Sequence, residues 1–387
     1  MNVSKYCADQ GKSRDKQITS ENGSGFGDRK NKKNRREFNR WVVWTFVLLA
    51  LLLVGASLFL VLPMINKTTQ HSALIRVPAG ATIQQVEDSL AKYFGEDFAR
   101  DTHRAFNIVK DKEQGVRHGA WMIEAGMTPF KAARVLARGG QASIPVTLNN
   151  LRTPQEVAHM FASKLEFSEQ EFLNTLTDPQ VLKQYNTDPD HALAFFLKDT
   201  YEFYWTATPR EIIQTMYENY HKFWNNDRIN RAEELRLLPR EVVVLASIVD
   251  AETEQAGEKG TIGRLYINRL EENMKLQSDP TVIYALGDFS IKRVGGEMLN
   301  TDNPYNTYRH EGLPPGPIRL TSAATIDAIL TSRPHNYLYM CADESLNGTH
   351  RFAVTYEEHL ENAKRYQEAL DNLGTKLSAQ PGATKKD

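Results

Sequence analysis

The sequence predicts an α+β protein carried on a single N-terminal transmembrane helix, with small repeated strand–helix units followed by a mixed α+β domain. Three observations predict it: the uncharged apolar run Trp41–Ile65, a gapless internal repeat between Val77 and Phe161, and an amphipathic stretch, Pro239–Leu270, with an acid on its apolar face. At 387 residues the chain can hold two or three domains around a real core.

The formal net charge of −1 hides a local excess of Lys and Arg between Met1 and Arg40, in a Gly/Ser/Asn-rich context without hydrophobic periodicity. Residues 1–40 therefore read as a disordered basic tail. The run Trp41–Ile65 is long enough to cross a bilayer as one helix. A cleaved signal has a shorter apolar region and a small-x-small exit, whereas this run lies deep in the chain and closes on Leu62-Pro63-Met64. Residues 41–65 are read as a membrane anchor. The positive-inside rule keeps the basic block in the cytoplasm and places everything after Asn66 outside the cytoplasmic membrane. The anchor also explains the basic block better than a nucleic-acid patch would, so no nucleic-acid partner is expected. Of the two cysteines, Cys7 and Cys341, one then lies on each side of the membrane, which rules out a disulfide between them and a thiolate zinc site.

Asn66–Ser72 reads as a polar spacer. After it, Val77–Leu90, Ile123–Leu136 and Leu148–Phe161 align without gaps, each with threonine at the sixth place. A short strand enters a turn and the threonine caps a helix: Thr82 with Gln85 and Thr153 with Glu156 have capping-box spacing, and Pro129 and Pro154 stand at first helical positions. Gly80 and Gly126 suit the turn, while the third copy has Leu151 there and must turn differently. Residues 73–165 are read as a small α/β repeat module, which either binds glycan or only positions the next domain. Residues 166–238 read as a mainly helical connecting region. It breaks at Lys198–Ala207, where aromatics cluster either as inter-domain packing or as the lining of a sugar groove.

Residues 239–374 are read as one further mixed α+β domain. Pro239 suits a first helical position and Glu241 the helix N-terminus. Glu252 lies three, four and seven positions after Val249, Ile248 and Leu245, on their apolar stripe, whereas Asp250 and Glu254 point the other way, toward water. An acid in apolar surroundings has a raised pKa and can serve as a general acid near neutral pH. The alternative is a core glutamate paired with an arginine.

In Lys275–Gly287, Asp279 before Pro280 is an N-cap signal and Gly287 a helix end, so Gln277 and Ser278 fall in an ordered loop at a helix N-terminus. Asn303–Ile318 is too rich in Pro and Gly for regular structure, yet groups Tyr305, Asn306, Thr307 and Tyr308 in a patch suited to a pyranose. Tyr337–Met340 reads as a buried strand, with His350, Phe352 and Thr355 on its partner and Glu358 and His359 opening the last helix. His350 and His359 lack the close pairing of a zinc site, so neither metal nor cofactor is expected. Residues 375–387 read as a disordered tail.

The segments LASIVDAET (Leu245–Thr253), YINRL (Tyr266–Leu270), MKLQSDPTVIYALG (Met274–Gly287), YNTYRHEGLPPGPI (Tyr305–Ile318) and HRFAVTYEEH (His350–His359) occur in the order found in one family. On them the chain resembles the endolytic murein transglycosylases, the YceG-like or MltG group. The resemblance covers nearly everything after the anchor, including LysM-like units in the repeat. It implies that Glu252, the second acid of the segment usually written SIVEKE, is catalytic. It also implies substrate contacts from Gln277, Ser278, Asp279, Tyr305, Asn306 and Tyr308, and a role for Arg269 either in pairing with an acid or in binding a substrate carboxylate. Three departures stand out: Asp250 replaces the first acid, Leu151 a glycine, and Leu320-Thr321-Ser322 the usual Asn-Pro-Gly.

The implied reaction cleaves the bond between N-acetylmuramic acid and N-acetylglucosamine without water. Glu252 protonates the leaving oxygen, the muramyl 6-hydroxyl attacks its own anomeric carbon, and a 1,6-anhydro end results. One carboxylate suffices, unlike the pair of ordinary glycosidases, and the tethered nucleophile supplies much of the rate. The implied partners are peptidoglycan strands, the cytoplasmic membrane and peptidoglycan synthases, at the outer face of the bacterial inner membrane, where cutting nascent strands ends their elongation. The rival readings are a hydrolytic muramidase, with Asp279 or Glu358 activating water, and a non-enzymatic membrane-anchored glycan-binding scaffold.

Overall fold

The computed structural model describes residues 27–111 and 115–378. Cys7, most of the expected basic tail and the last nine residues lie outside the described residues. The architecture is mixed α+β, with one N-terminal helix long and apolar enough to cross a membrane.

That helix, α1 (Gly27–Asn66), starts earlier than expected, so Gly27–Arg40 is helical rather than irregular. Its segment Phe38–Asn66 has a mean hydropathy of 2.8, and the protein leaves that segment's large apolar side chains exposed except Met64, which packs into the first core. The segment after it is no free spacer. Thr69 N–H donates to the Met127 carbonyl, its own carbonyl accepts from Gly126 N–H, and its hydroxyl donates to the Glu124 carbonyl, so the chain leaving α1 is strapped to the second repeat unit.

The first two repeat units build one small core. It comprises β1 (Ala73–Val77), α2 (Ile83–Phe94), α3 (Glu96–Val109), β2 (Gly119–Ile123) and α4 (Pro129–Arg138). The strands pair antiparallel with Ile75 opposite Trp121, and both side chains are fully buried beside Val86, Leu90, Phe106 and Leu136. Thr82 and Thr128 cap their helices as the pattern predicts. Gly80 (φ 73°) and Gly126 (φ 82°) hold left-handed turns that side chains disfavour.

The third unit follows the same local rule but joins a different core. Its β3 (Ser143–Thr147) and α5 (Pro154–Ala162) keep the Thr153–Glu156 capping box, yet β3 pairs with β4 (Thr200–Tyr204). Part of the aromatic break is therefore a strand, and its rings mostly pack: Phe203 and Trp205 are buried, and Phe203 meets Phe161 edge-on at 5.7 Å. Local periodicity sets a strand and a capped helix, but which partner the strand finds depends on distant sequence.

Three helices, α6 (Glu169–Leu176), α7 (Pro179–Lys183) and α8 (Pro209–Phe223), lead to α9 (Asn226–Glu234) and then α10 (Pro239–Glu252). Every residue of α10 from Val242 to Asp250 is buried. Around it lie α11 (Lys259–Glu271), α12 (Asp279–Leu286) and α13 (Ala323–Leu330). Gly263 lets α11 and α13 close together, because a Cβ there would sit 2.6 Å from the Ile329 side chain. The hairpin β5 (Tyr339–Ala342) and β6 (His350–Ala353) follows, then α14 (Tyr356–Ser378), which extends into the expected C-terminal tail.

Asp250 corrects the sequence reading. Instead of facing water it is 3% exposed, its Oδ1 accepting from Lys259 Nζ and Thr325 Oγ1, both at 2.6 Å. Its Oδ2 accepts from Thr321 Oγ1 (2.9 Å) and Lys198 Nζ (3.2 Å). Helix periodicity gives the direction of a side chain, not what covers that side, and here α11, α13 and the Lys198 segment cover it. Burial by itself would raise the Asp250 pKa, but the bonds from Lys259 and Thr325 and the charge of Lys198 hold it below the usual carboxylate range. A carboxylate with a depressed native pKa adds stability that is present above its unfolded pKa and is lost as pH falls through the native one. Asp250→Ala should cost about 3 kcal/mol at pH 7, because two lysines lose their buried partner. Urea unfolding should show that deficit at pH 7 and a smaller one in acid.

Candidate active site

Glu252 is the last residue of α10, and the Leu245, Ile248 and Val249 stripe behind it is fully buried. Its Oε1 accepts two hydrogen bonds, one from Tyr266 Oη at 2.8 Å and one from Ser278 Oγ. Oε2 has no donor among the described residues. Arginine does not pair with this acid, so the core ion-pair alternative fails.

Burial is the main force that raises the Glu252 pKa, and the nearby Asp279 charge adds to it; the Ser278 and Tyr266 hydrogen bonds and His350 oppose the rise. Burial also pushes the Tyr266 phenol well above its ordinary value, so it stays a neutral donor. The carboxyl group is thus biased toward its protonated form, with one oxygen fixed by the protein and the other left for a ligand.

A cleft of about 260 Å³ opens at Glu252. Tyr266, Arg269, Gln277, Asp279, Tyr308, Cys341 and His350 line it, with Met340 and Ala342 on the hairpin side. Gln277 sits in the left-handed region (φ 51°), a strained conformation for a side chain that costs about 1–3 kcal/mol. The loop is held by Gln277 N–H donating to the Thr307 carbonyl (3.2 Å) and Ser278 N–H donating to Thr307 Oγ1 (3.0 Å). Thr281 and Thr307 hydroxyls meet at 2.8 Å, tying the 277–279 and 305–308 loops into one wall.

The expected substrate residues divide. Gln277, Asp279 and Tyr308 join Glu252 in the cleft. Asp279 is not a cap, because Ser278 holds the N-cap position; its Oδ1 instead accepts from Tyr308 Oη at 2.6 Å. Ser278, 1% exposed, serves the site through its bond to Glu252. Asn306 is fully buried, its amide donating to the Leu299 and Thr301 carbonyls while its Oδ1 accepts from Tyr308 N–H, so it braces the loop that presents Tyr308. Tyr305 stands apart from the cleft, against Tyr284 with ring centroids 4.7 Å apart. Its polar-aromatic spacing cannot distinguish a ring on a cleft from a ring on a neighbouring helix.

Arg269 has no acid partner among the described residues. Its guanidinium donates to the carbonyls of Leu338, Lys275 and Leu276, which fixes a cation in the cleft wall. Glu358 accepts from Val354 N–H at 3.0 Å and caps the last helix outside the cleft, which removes it as a water activator. Sequence reasoning assigned no role to Tyr266 or Cys341 and considered His350 only as a ligand. Tyr266 and Arg269 do share the i, i+3 spacing of one helix face, and that signal was available.

A profile of the YceG-like family matches residues 75–365. The chain belongs to the YceG-like family. A protein of Bacillus subtilis (strain 168) named endolytic murein transglycosylase is 26% identical over 331 residues, covering 81% of this chain and 89% of that protein. A Streptococcus pneumoniae (strain D39) protein of the same name is 30% identical over 134 residues, 34% of this chain and 24% of its own length. The crystal structure of a YceG-like protein from Listeria monocytogenes has the same fold, with a TM-score of 0.50 at 24% identity over 76% of this chain and 99% of that one.

The raised Glu252 pKa has a stability consequence for this family member. A carboxyl group whose native pKa is raised binds its proton more tightly when folded, so its contribution is fully present below the unfolded pKa and is lost as pH rises through the native one. Glu252→Gln, which keeps an acceptor for Tyr266 and Ser278, should melt higher than wild type at pH 7. The gap should close toward pH 4 in paired thermal melts.

Proposed function

We propose that the protein is a membrane-anchored endolytic peptidoglycan transglycosylase that cleaves the N-acetylmuramic acid–N-acetylglucosamine bond of nascent strands and leaves 1,6-anhydro ends, which terminates elongation. The observation that carries the reading is one acid without a cationic partner among the described residues, Glu252, at the end of α10, held by two neutral hydroxyls in the wall of a polar cleft. Such a group can protonate the oxygen leaving the anomeric carbon. As carboxylate it can then regain a proton when the muramyl 6-hydroxyl closes on that carbon, and no water is consumed.

Family membership and the names of the Bacillus subtilis and Streptococcus pneumoniae relatives support the same chemistry. The cleft suits a glycan: Gln277 and Tyr308 offer polar contacts, and Arg269 supplies a fixed positive charge for a carboxylate-bearing substrate. Helix α1, which we read as an anchor with its N-terminus in the cytoplasm, would keep the cleft beside strands as synthases polymerise them. The LysM-like reading of the repeat would give the first core a glycan-holding role. Asp279, the remaining candidate for a hydrolytic second carboxylate, accepts the Tyr308 hydroxyl proton's bond, an arrangement that suits substrate positioning better than water activation.

The test is mass spectrometry of products from un-crosslinked glycan strands incubated with the detergent-solubilised full chain. Wild type should give anhydro-ended fragments, and Glu252→Gln should slow their formation roughly 10²–10⁴-fold. Reducing ends from wild type would reveal a hydrolase instead. Binding with no fragments from either protein would reveal a scaffold.

A further inference from the structure

The cleft holds a second proton-handling group that the single-acid mechanism leaves idle. His350, the first residue of β6, faces Glu258 of the 3₁₀ turn Ala256–Glu258, which joins α10 to α11. Glu258 grips it twice. Oε1 accepts from the His350 backbone N–H at 2.8 Å and Oε2 meets the ring Nδ1 at 2.9 Å. Both side chains are about five-sixths buried, at 15% and 16% exposed, so this is a constrained pair and not a surface contact.

The chemistry of the pair fixes the ring. A carboxylate can only accept, so Nδ1 carries the hydrogen, and in the neutral ring Nε2 is left as a bare acceptor. Nε2 has no partner among the described residues, nor is it among their buried side-chain atoms that lack one, so it is open to solvent. His350 lines the same cleft of about 260 Å³ as Glu252. The hairpin carrying it is further pinned by Gln255 Nε2, which donates to the Asn347 carbonyl at 3.3 Å. An imidazole held at Nδ1 with a free lone pair at Nε2, in the same cleft as an acid biased toward its protonated form, is the pairing that a reaction with two proton transfers can use.

We propose that His350 is a catalytic residue that accepts the proton of the attacking sugar hydroxyl at Nε2, with Glu258 as its positioning residue. The inference rests on the transglycosylase reading and divides its proton traffic. The Glu252 proton goes to the leaving oxygen as the anomeric C–O bond breaks. The muramyl 6-oxygen bonds to the anomeric carbon as its hydrogen passes to Nε2, and that proton then returns through solvent to the Glu252 carboxylate. Both groups end as they began.

A role in holding the hydroxyl predicts an effect that loss of packing would not produce. With the internal nucleophile released, water competes for the activated carbon, and reducing ends should be formed beside anhydro ends. The test compares the detergent-solubilised full chain as wild type, His350→Ala, His350→Gln and Glu258→Gln on un-crosslinked glycan strands, scoring kcat, KM and the anhydro-to-reducing ratio. His350→Ala should lower kcat roughly 10²-fold with KM little changed, and its ratio should fall. His350→Gln restores bulk but not the ring nitrogen and should behave like the alanine variant. Glu258→Gln should shift kcat and the ratio in the same direction by a smaller factor.

Unchanged kcat, or a lowered kcat with every product still anhydro-ended in all variants, would overturn the assignment. Imidazole ¹⁵N spectra of wild type provide a second measurement that needs no variant: a ring protonated at Nδ1 with Nε2 bare is expected, and the opposite tautomer would overturn it. Wild-type product lacking anhydro ends would instead sink the transglycosylase reading itself.

Discussion

The candidate site depends on holding one carboxyl group against an apolar stripe while leaving one of its oxygens free. Glu252 meets that constraint because it ends a helix whose sides are buried from Val242 to Asp250, so its position is set by packing rather than by a loop. Tyr266 and Ser278 then take one oxygen from two different elements, and neither brings a charge. Had an arginine filled that place, its charge would have opposed the rise that burial causes and drawn the pKa down.

The same helix carries the opposite solution two residues earlier. Asp250 is buried, but two lysines and two threonines surround it, and its pKa moves down where that of Glu252 moves up. The two acids thus meet opposite electrostatic surroundings on one helix. Two further departures from the family pattern meet at this structural acid. The Thr321 hydroxyl bonds Asp250, and the adjacent Leu320 N–H donates to the Leu151 carbonyl at 2.8 Å. Leu151, where a glycine was expected, is thus braced by the segment that replaces Asn-Pro-Gly, and all three departures belong to one packed neighbourhood away from the cleft.

One wall of the cleft is made of loops, yet these are not loosely held. Thr281 and Thr307 share a hydrogen bond beneath them, and Asn306 spends its amide on backbone carbonyls. The sequence patch Tyr305–Tyr308 is therefore one ring against α12, two buried braces and one ring in the site. Composition could mark the patch as more than a linker, but it could not apportion these roles, because each side chain's role depends on where residues 277–284 lie.

The sequence by itself determined whatever depends on neighbours along the chain. That includes the apolar helix, the threonine-capped repeat helices, the proline that opens α10 and the stripe that put Glu252 among Leu245, Ile248 and Val249; these are consequences of 3.6-residue periodicity and local capping chemistry. The motifs in order also carried the family. Tertiary structure decided what lies opposite each face. It turned Asp250 from water to lysine, paired the third repeat's strand with Thr200–Tyr204, withdrew Tyr305 and Asn306 from the cleft, and brought Tyr266, Ser278 and the Glu258–His350 pair around one acid. Those outcomes rest on contacts such as Tyr266–Glu252, 14 positions apart in the chain, and Glu258–His350, 92 apart, and no local pattern contains them.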